Sequence, residues 1–456
     1  MSSYNPPTLV QLEVKALLKK DAIDISDLED LPTMVFPPLF IEAFNRKNTK
    51  FLQAIVVAWP FPYLTVGPLL KTASVEMMKT VLDCIDILLT HKDHSRGKLQ
   101  VLDLRDEHQD FWDVCNGREY GDCSADSWSM KQVPKSLPTC VPRQNLQVVT
   151  NLSLCFYLNK YQKCLLQWAQ KRKDILQLCC VKMSIFALPQ EIIKEVLNIV
   201  QQNYIEELEI HTQEVRSFLD FFAHFLGQMR NLLKFDLNQI DFKHNVVDTV
   251  TDVKKCAGKF FSQFSQLRHL QHLSMNGAHF ANDNMKELFR CLKSPLESLS
   301  ITFCHLSKSD LKHMSECESL FQLKHLHFND VVFSKSSFES LQILLENVSE
   351  TLQTLQLEHC RMKDSELRVL LPALSQCSQL SSINFYDNDL SGLAIKDLLP
   401  CIASLRKLTL ELYVMVERFS QLCPEFVDIY TQDHKATQVN HICCWPLPSL
   451  LHALWL

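Results

Sequence analysis

The stretch Leu296-Glu297-Ser298-Leu299-Ser300-Ile301-Thr302-Phe303-Cys304-His305-Leu306 decides the fold. Its apolar residues follow the order L-x-x-L-x-L-x-x-C-x-L, and the first half of that spacing, with aliphatic or aromatic substitutes, keeps returning. Counted at the middle residue of each triplet (Leu208, Phe235, Leu273, Leu299, Leu326, Leu355, Ile383, Leu408), the steps are 27, 38, 26, 27, 29, 28 and 25 residues. With 46% apolar residues a single match would mean little. The shared phase is what carries the reading.

Such a period is that of the leucine-rich repeat, in which each repeat supplies one strand and one helix. The expected fold is α/β: a curved solenoid with a parallel sheet on its concave face, helices on its convex face and an α-helical N-terminal cap. Cys304, Cys360 and Asn388 stand where a buried polar or thiol side chain can satisfy backbone groups as the strand turns out of the sheet. Amphipathic helices are expected after the strands, for example at 310–317, 337–348, 365–374 and 393–402. The long step of 38 residues holds an extra segment, placed near Lys254 to Ser262 and expected in a loop.

Outward from the array the pattern weakens. Residues 1–95 read as a helical head, with 8–30 as one amphipathic stretch and the prolines of Phe36-Pro37-Pro38 opening another helix. Residues 96–204 hold irregular first repeats, at Leu99/Leu102/Leu104, Val149/Leu152/Leu154 and Ile175/Leu178/Cys180, interrupted by a long polar loop at about 106–145. Regular repeats fill 205–413, and 414–456 is a divergent tail.

Composition narrows the function. A net charge of -6 offers no basic footprint for direct nucleic-acid binding and no polybasic membrane anchor, and points towards protein partners. The N-terminus lacks a signal-peptide core, and the longest apolar run is broken by Pro60, so no membrane span is expected. The 18 cysteines have no framework spacing, and many replace apolar repeat residues, as thiols do in a reducing compartment. A cytoplasmic protein is expected, with the nucleus as a second location.

Side chains between the buried leucines alternate onto the concave face. They include Glu207, Glu209, Lys234, Asp236, His272, Ser298, Ser300, His325, His327, Gln356 and Asn384, a polar set of mixed sign suited to a protein or peptide, or simply to water. His325 and His327 share a strand face, but His272 lies two strand spacings of roughly 4.8 Å away, too far for one metal shell. The adjacent pairs Cys179-Cys180 and Cys443-Cys444 lack the C-x-x-C spacing of zinc sites. No nucleotide loop, nucleophile elbow or zinc-protease motif is present, so neither cofactor nor catalytic residue is expected. Two L-x-x-L-L strings, Leu341 to Leu345 and Leu367 to Leu371, fall on repeat helices and should face the core.

The N-terminal residues are more specific. Leu31-Pro32, Phe36-Pro37-Pro38-Leu39-Phe40, Ala43-Phe44 and Ala58-Trp59-Pro60-Phe61, leading through Leu64 and Gly67 to Leu69-Leu70-Lys71, resemble the PRAME family. So do Lys98 to Arg105, Leu178-Cys179-Cys180 and Pro295 to Thr302, with the likeness running from about Leu9 to Tyr413 and reaching the oogenesin-type germ-cell members. The resemblance implies a substrate-recognition subunit of a cullin-RING ubiquitin ligase. A short N-terminal helix would bind elongin C of the elongin B/C pair, with Ala16, Leu17, Asp21 and Ile25 as candidates, and Leu31 and Pro32 would meet the cullin. Asp21 stands where the family's elongin motif prefers a small residue. The resemblance also implies repression of transcription, differentiation and apoptosis and support of proliferation. The tail departs from the family, replacing its late C-x-x-C-G element with His441-Ile442-Cys443-Cys444-Trp445-Pro446.

Overall fold

The computed structural model describes residues 8–19, 25–71, 74–90, 98–106, 146–212, 215–239, 250–334, 337–403, 405 and 407. The chain divides into two compact units, an N-terminal unit of Met1–Met183 with Glu191–Ile205 and a repeat unit of Ser184–Gln190 with Glu206–Leu456. Asp21, most of the expected long loop and the tail lie outside the described residues.

The N-terminal unit begins with α1 (Leu9–Leu17), α2 (Ile25–Glu29), a 3-10 turn (Thr33–Val35), α3 (Phe36–Asn45) and α4 (Thr49–Val57). It continues through β1 (Tyr63–Thr65), α5 (Gly67–Leu70), α6 (Val75–Thr90), β2 (Val101–Asp103), β3 (Leu146–Cys155), α7 (Lys160–Gln170), β4 (Leu176–Phe186) and α8 (Gln190–Ile199). Thr8 opens α1 with a capping box to Gln11, and prolines occupy the first turn of α3 as expected. Two readings are corrected. The stretch 8–30 holds two helices rather than one, and the head is not wholly helical, because Tyr63–Thr65 forms a strand parallel to β2. Pro60 and Pro62 disfavour helix at the residues before them, and three residues are too few to show an alternating pattern.

The residues of the N-terminal motif explain one another physically. Trp59, fully buried, meets the rings of Phe36, Phe40 and Phe61 edge-on at 6.2, 5.8 and 5.6 Å and donates from Nε1 to the carbonyl of Tyr63 at 3.0 Å. Gly67 sits so close to β2 that a Cβ there would lie 1.9 Å from the carbonyl oxygen of Arg105, which no side chain permits. Beside it Arg105 and Asp103 form a buried ion pair, with Nη2 2.8 Å from Oδ2 and both side chains within 1% of full burial. The Tyr63 hydroxyl also meets Asp103, and burial, followed by that carboxylate's charge, pushes the phenol far above its usual range.

The repeat unit alternates strand and helix: β5 (Glu207–Thr212), α9 (Val215–Leu226), β6 (Lys234–Gln239), α10 (Val250–Ser262), β7 (His272–Asn276), α11 (Met285–Cys291) and β8 (Ser298–Leu306). Then come α12 (Lys308–Ser315), β9 (His325–Phe333), α13 (Phe338–Asn347), β10 (Thr354–Glu358), α14 (Asp364–Leu374), β11 (Ser382–Asn384) and α15 (Gly392–Ala403). The strands run parallel in chain order, with Leu208, Phe235, Leu273, Leu299, Leu326, Leu355 and Ile383 in register and each no more than 1% exposed. The array is thus an α/β leucine-rich-repeat solenoid. Burying each of these side chains stabilises by about 1.5–3 kcal/mol. In the two L-x-x-L-L strings, Leu341, Leu344, Leu345, Leu367 and Leu370 are buried in the same core.

One expectation about the array fails. Lys254 to Ser262 is not an inserted loop; it belongs to α10, the repeat's own helix. Ala257, Phe260, Phe261 and Phe264, at helical spacing, are all fully buried.

From β7 to β11 one backbone feature recurs four residues past the central apolar residue of each strand. Gly277, Phe303, Asp330, His359 and Asp387 occupy equivalent positions and all have φ between 50° and 74°. The residue that follows does the backbone work anticipated for it. Asn388 Nδ2 donates to the carbonyls of Leu357 at 2.6 Å and Phe385 at 3.1 Å, while its Oδ1 accepts from the amides of Cys360 at 3.1 Å and Met362 at 3.0 Å. Cys360 donates from Sγ to the carbonyl of Glu358 at 3.1 Å, and burial pushes its thiol up to about 12. No helix among the described residues is long and apolar enough to cross a membrane.

Candidate functional site

The candidate site is the strand face of the repeat unit that lies opposite its buried leucines. Two rows of side chains cross it. Glu207, Lys234, His272, Ser298, His325, Thr354 and Ser382 are paired in register along one row, and Glu209, Asp236, Ser274, Ser300, His327, Gln356 and Asn384 along the next. Nearly all are half-buried, with Lys234 more exposed. Alternation along each strand therefore brings every nominated face residue onto one surface.

Neighbouring strands tie these side chains together. At the β5 and β6 end, Glu209 Oε2 accepts from Ser184 Oγ at 3.1 Å, Glu209 Oε1 lies 2.7 Å from His211 Nε2, and Lys234 pairs with Asp236 at 2.9 Å. Burial opposes the charge of Glu209, but these partners hold its carboxyl below the usual range. In the middle, His325 Nδ1 meets Thr354 Oγ1 at 2.6 Å and His327 Nδ1 meets Ser300 Oγ at 3.2 Å. Burial lowers the affinity of both rings for protons; for His325 the nearby charges of His272 and Lys324 add to this, while Glu297 opposes it. Glu297 in turn pairs with Lys324 at 2.8 Å. Asn384 Nδ2 donates to Glu358 Oε1 at 2.7 Å. Sequence reasoning missed His211, Glu297, Lys324 and Glu358. They lie on or immediately before the face strands, so the register of the same repeat would have found them.

Ser300, His327 and Glu358 invite comparison with a catalytic serine, and the geometry does not favour it. The hydroxyl meets Nδ1 rather than the outer nitrogen, Glu358 lies 3.9 Å from Nε2, and its Oε1 is already occupied by Asn384. The arrangement stiffens the strand face, with pairs of opposite charge spread across it.

The nominated docking residues sit in the N-terminal unit. Ala16 is exposed and Leu17 half-buried at the end of α1, Ile25 is exposed at the start of α2, and Leu31 and the exposed Pro32 precede the 3-10 turn. Val14 and Leu18 seat α1 against α3 and that turn. Leu9 and Leu12, unnominated from sequence, are 85% and 48% exposed and line one face of α1 with Ala16. Their spacing was visible; which face the helix would bury was not.

Comparison with known proteins places the family's domain boundary earlier than the division into compact units, between β2 and β3 rather than near β4 and α8. Residues 6–112 match the model of the PRAME N-terminal domain and residues 146–423 that of the PRAME C-terminal domain. Human PRAME family member 12 is 40% identical over 417 residues, covering 91% of this chain and 85% of that protein. Mouse oogenesin-3 is 38% identical over 448 residues, covering 94% and 88%. A solved leucine-rich-repeat protein of Leptospira interrogans is 17% identical over 59% of this chain and 78% of its own, with a TM-score of 0.28. With both of its domain models matched in order, the chain belongs to the PRAME family.

Proposed function

We propose that this protein is a non-catalytic substrate-recognition adaptor of a cullin-RING ubiquitin ligase. The strand face holds a protein substrate, and the N-terminal unit docks on elongin B/C and a cullin. The observation that carries the reading is the exposed apolar face of α1, Leu9, Leu12 and Ala16, on a helix whose other side is fixed by Val14 and Leu18. A soluble chain leaves such a stripe uncovered at a cost unless a partner covers it. Ubiquitin transfer would then follow from proximity supplied by partners, with no residue here doing chemistry. Degradation of the bound protein is the route by which it would repress transcription, differentiation and apoptosis and favour proliferation, in the cytoplasm and the nucleus.

A second reading, an interaction scaffold or transcriptional co-regulator outside any ligase, has its own support. Leu17, the nominated anchor for elongin, is half-buried, and Ile25 opens a separate helix. Co-expression of the full chain with elongin B and C separates the two. The adaptor reading expects a stable complex that Leu17→Ala or Leu12→Ala weakens at least about tenfold, or 1.4 kcal/mol. Wild-type protein that never captures elongin C would leave the scaffold.

A further inference from the structure

On the helical side of the repeat unit, successive helices from α9 to α15 pack side by side. In the N-terminal unit α7 packs likewise on α6, where Asp86 accepts from Trp168 Nε1 at 3.0 Å and pairs with Arg172. Between α7 and α8 the layer is instead open, and a groove of about 970 Å³ separates them. Its floor is apolar: Leu166 and Val196 are buried, Ile192 and Ile199 half-buried. Tyr157 stands at its mouth, 72% exposed. The α7 side carries the exposed Lys163 and Lys171, and the α8 side the exposed Glu195.

Two helices held apart over an apolar floor make the receptor geometry of helix-in-groove recognition. The opposite charges of the two sides add a direction. A lipid chain or a neutral small molecule would have no use for that asymmetry, whereas a helix with unlike flanks is oriented by it. We propose that this groove binds an amphipathic helix of a protein partner. Its apolar stripe lies over Leu166, Val196 and Ile199, its acidic flank faces Lys163 and Lys171, and its basic flank faces Glu195. The 11 residues of α7 set the length, as about three turns of helix span them. Neither α1 nor the strand face takes part, so the site stands whether or not the chain docks on elongin.

The test is a displayed library of helical peptides with leucines fixed at i, i+3, i+4 and i+7 and both flanks randomised, selected against the full-length chain. Acidic residues should accumulate on one flank and basic residues on the other. Gln167→Trp, an exposed residue on α7 placed to fill the groove, should weaken the selected peptides at least about tenfold, and Tyr157→Ser about threefold. The triple variant Lys163→Glu and Lys171→Glu with Glu195→Lys should select the reverse flank order. These positions are exposed, and circular dichroism is the check that each variant folds. Flanks selected without charge preference, or peptides indifferent to Gln167→Trp, would overturn the proposal.

Discussion

The two units reach stability by different routes. In the repeat unit the same solution is used again and again: a leucine column, a left-handed turn residue, and a side chain that binds the backbone behind it. Each contact has a neighbour that resembles it, so the loss of one is shared locally. The N-terminal unit depends on contacts that occur once. Trp59 fills a single aromatic nest, Gly67 allows a single close approach, and Asp103 neutralises the one arginine buried with it. The comparison teaches that periodic stability is readable and tolerant, while singular stability is neither.

The hardest blow to that comparison is Asp103→Asn. It leaves Arg105 buried without its carboxylate, a loss of about 3–5 kcal/mol, so denaturant unfolding should show the N-terminal unit melting ahead of the repeats. An unshifted transition would mean that the pair is dispensable and that the two units are held alike. Asn388→Ala should cost less, about 2 kcal/mol, since the backbone groups it serves lie where relaxation or water can replace part of the loss. Hydrogen exchange should quicken at the amides of Cys360 and Met362 and stay unchanged in β6 and β7; a global change would break the picture of local loss.

The mildest effect is expected in acid. Burial keeps the proton affinity of His325 and His327 below the ordinary histidine value of 6.5, so the folded chain binds fewer protons than the unfolded one. Their contribution is complete above that value and is lost as pH falls through the lower folded values. Melting temperature followed from about pH 7.5 down to about pH 5.5 should decline less in His325→Gln with His327→Gln than in the wild type. Equal declines would assign the acid sensitivity elsewhere.

Much of this was legible without coordinates. The triplet spacing placed the strands, their alternation placed Glu207 through Asn384 on one face, and the Asn and Cys positions announced the backbone contacts that Asn388 and Cys360 make. What escaped was short or singular. Three residues of β1 are too few to show a period, and the long step around α10 reads as an insertion even though Ala257, Phe260 and Phe261 keep helical spacing. Leu9 and Leu12 read as ordinary helix residues until the packing of α1 showed which side was covered.

By itself, then, the sequence determined the repeat: periodicity is local information, and burial of one face forces strand, turn and helix into phase. Only the tertiary structure decided the approach of Gly67 to the backbone of Arg105, the Asp103 and Arg105 pair, the exposed side of α1 and the groove between α7 and α8. Each of these depends on which surfaces meet across long separations in the chain, and no local pattern encodes that meeting.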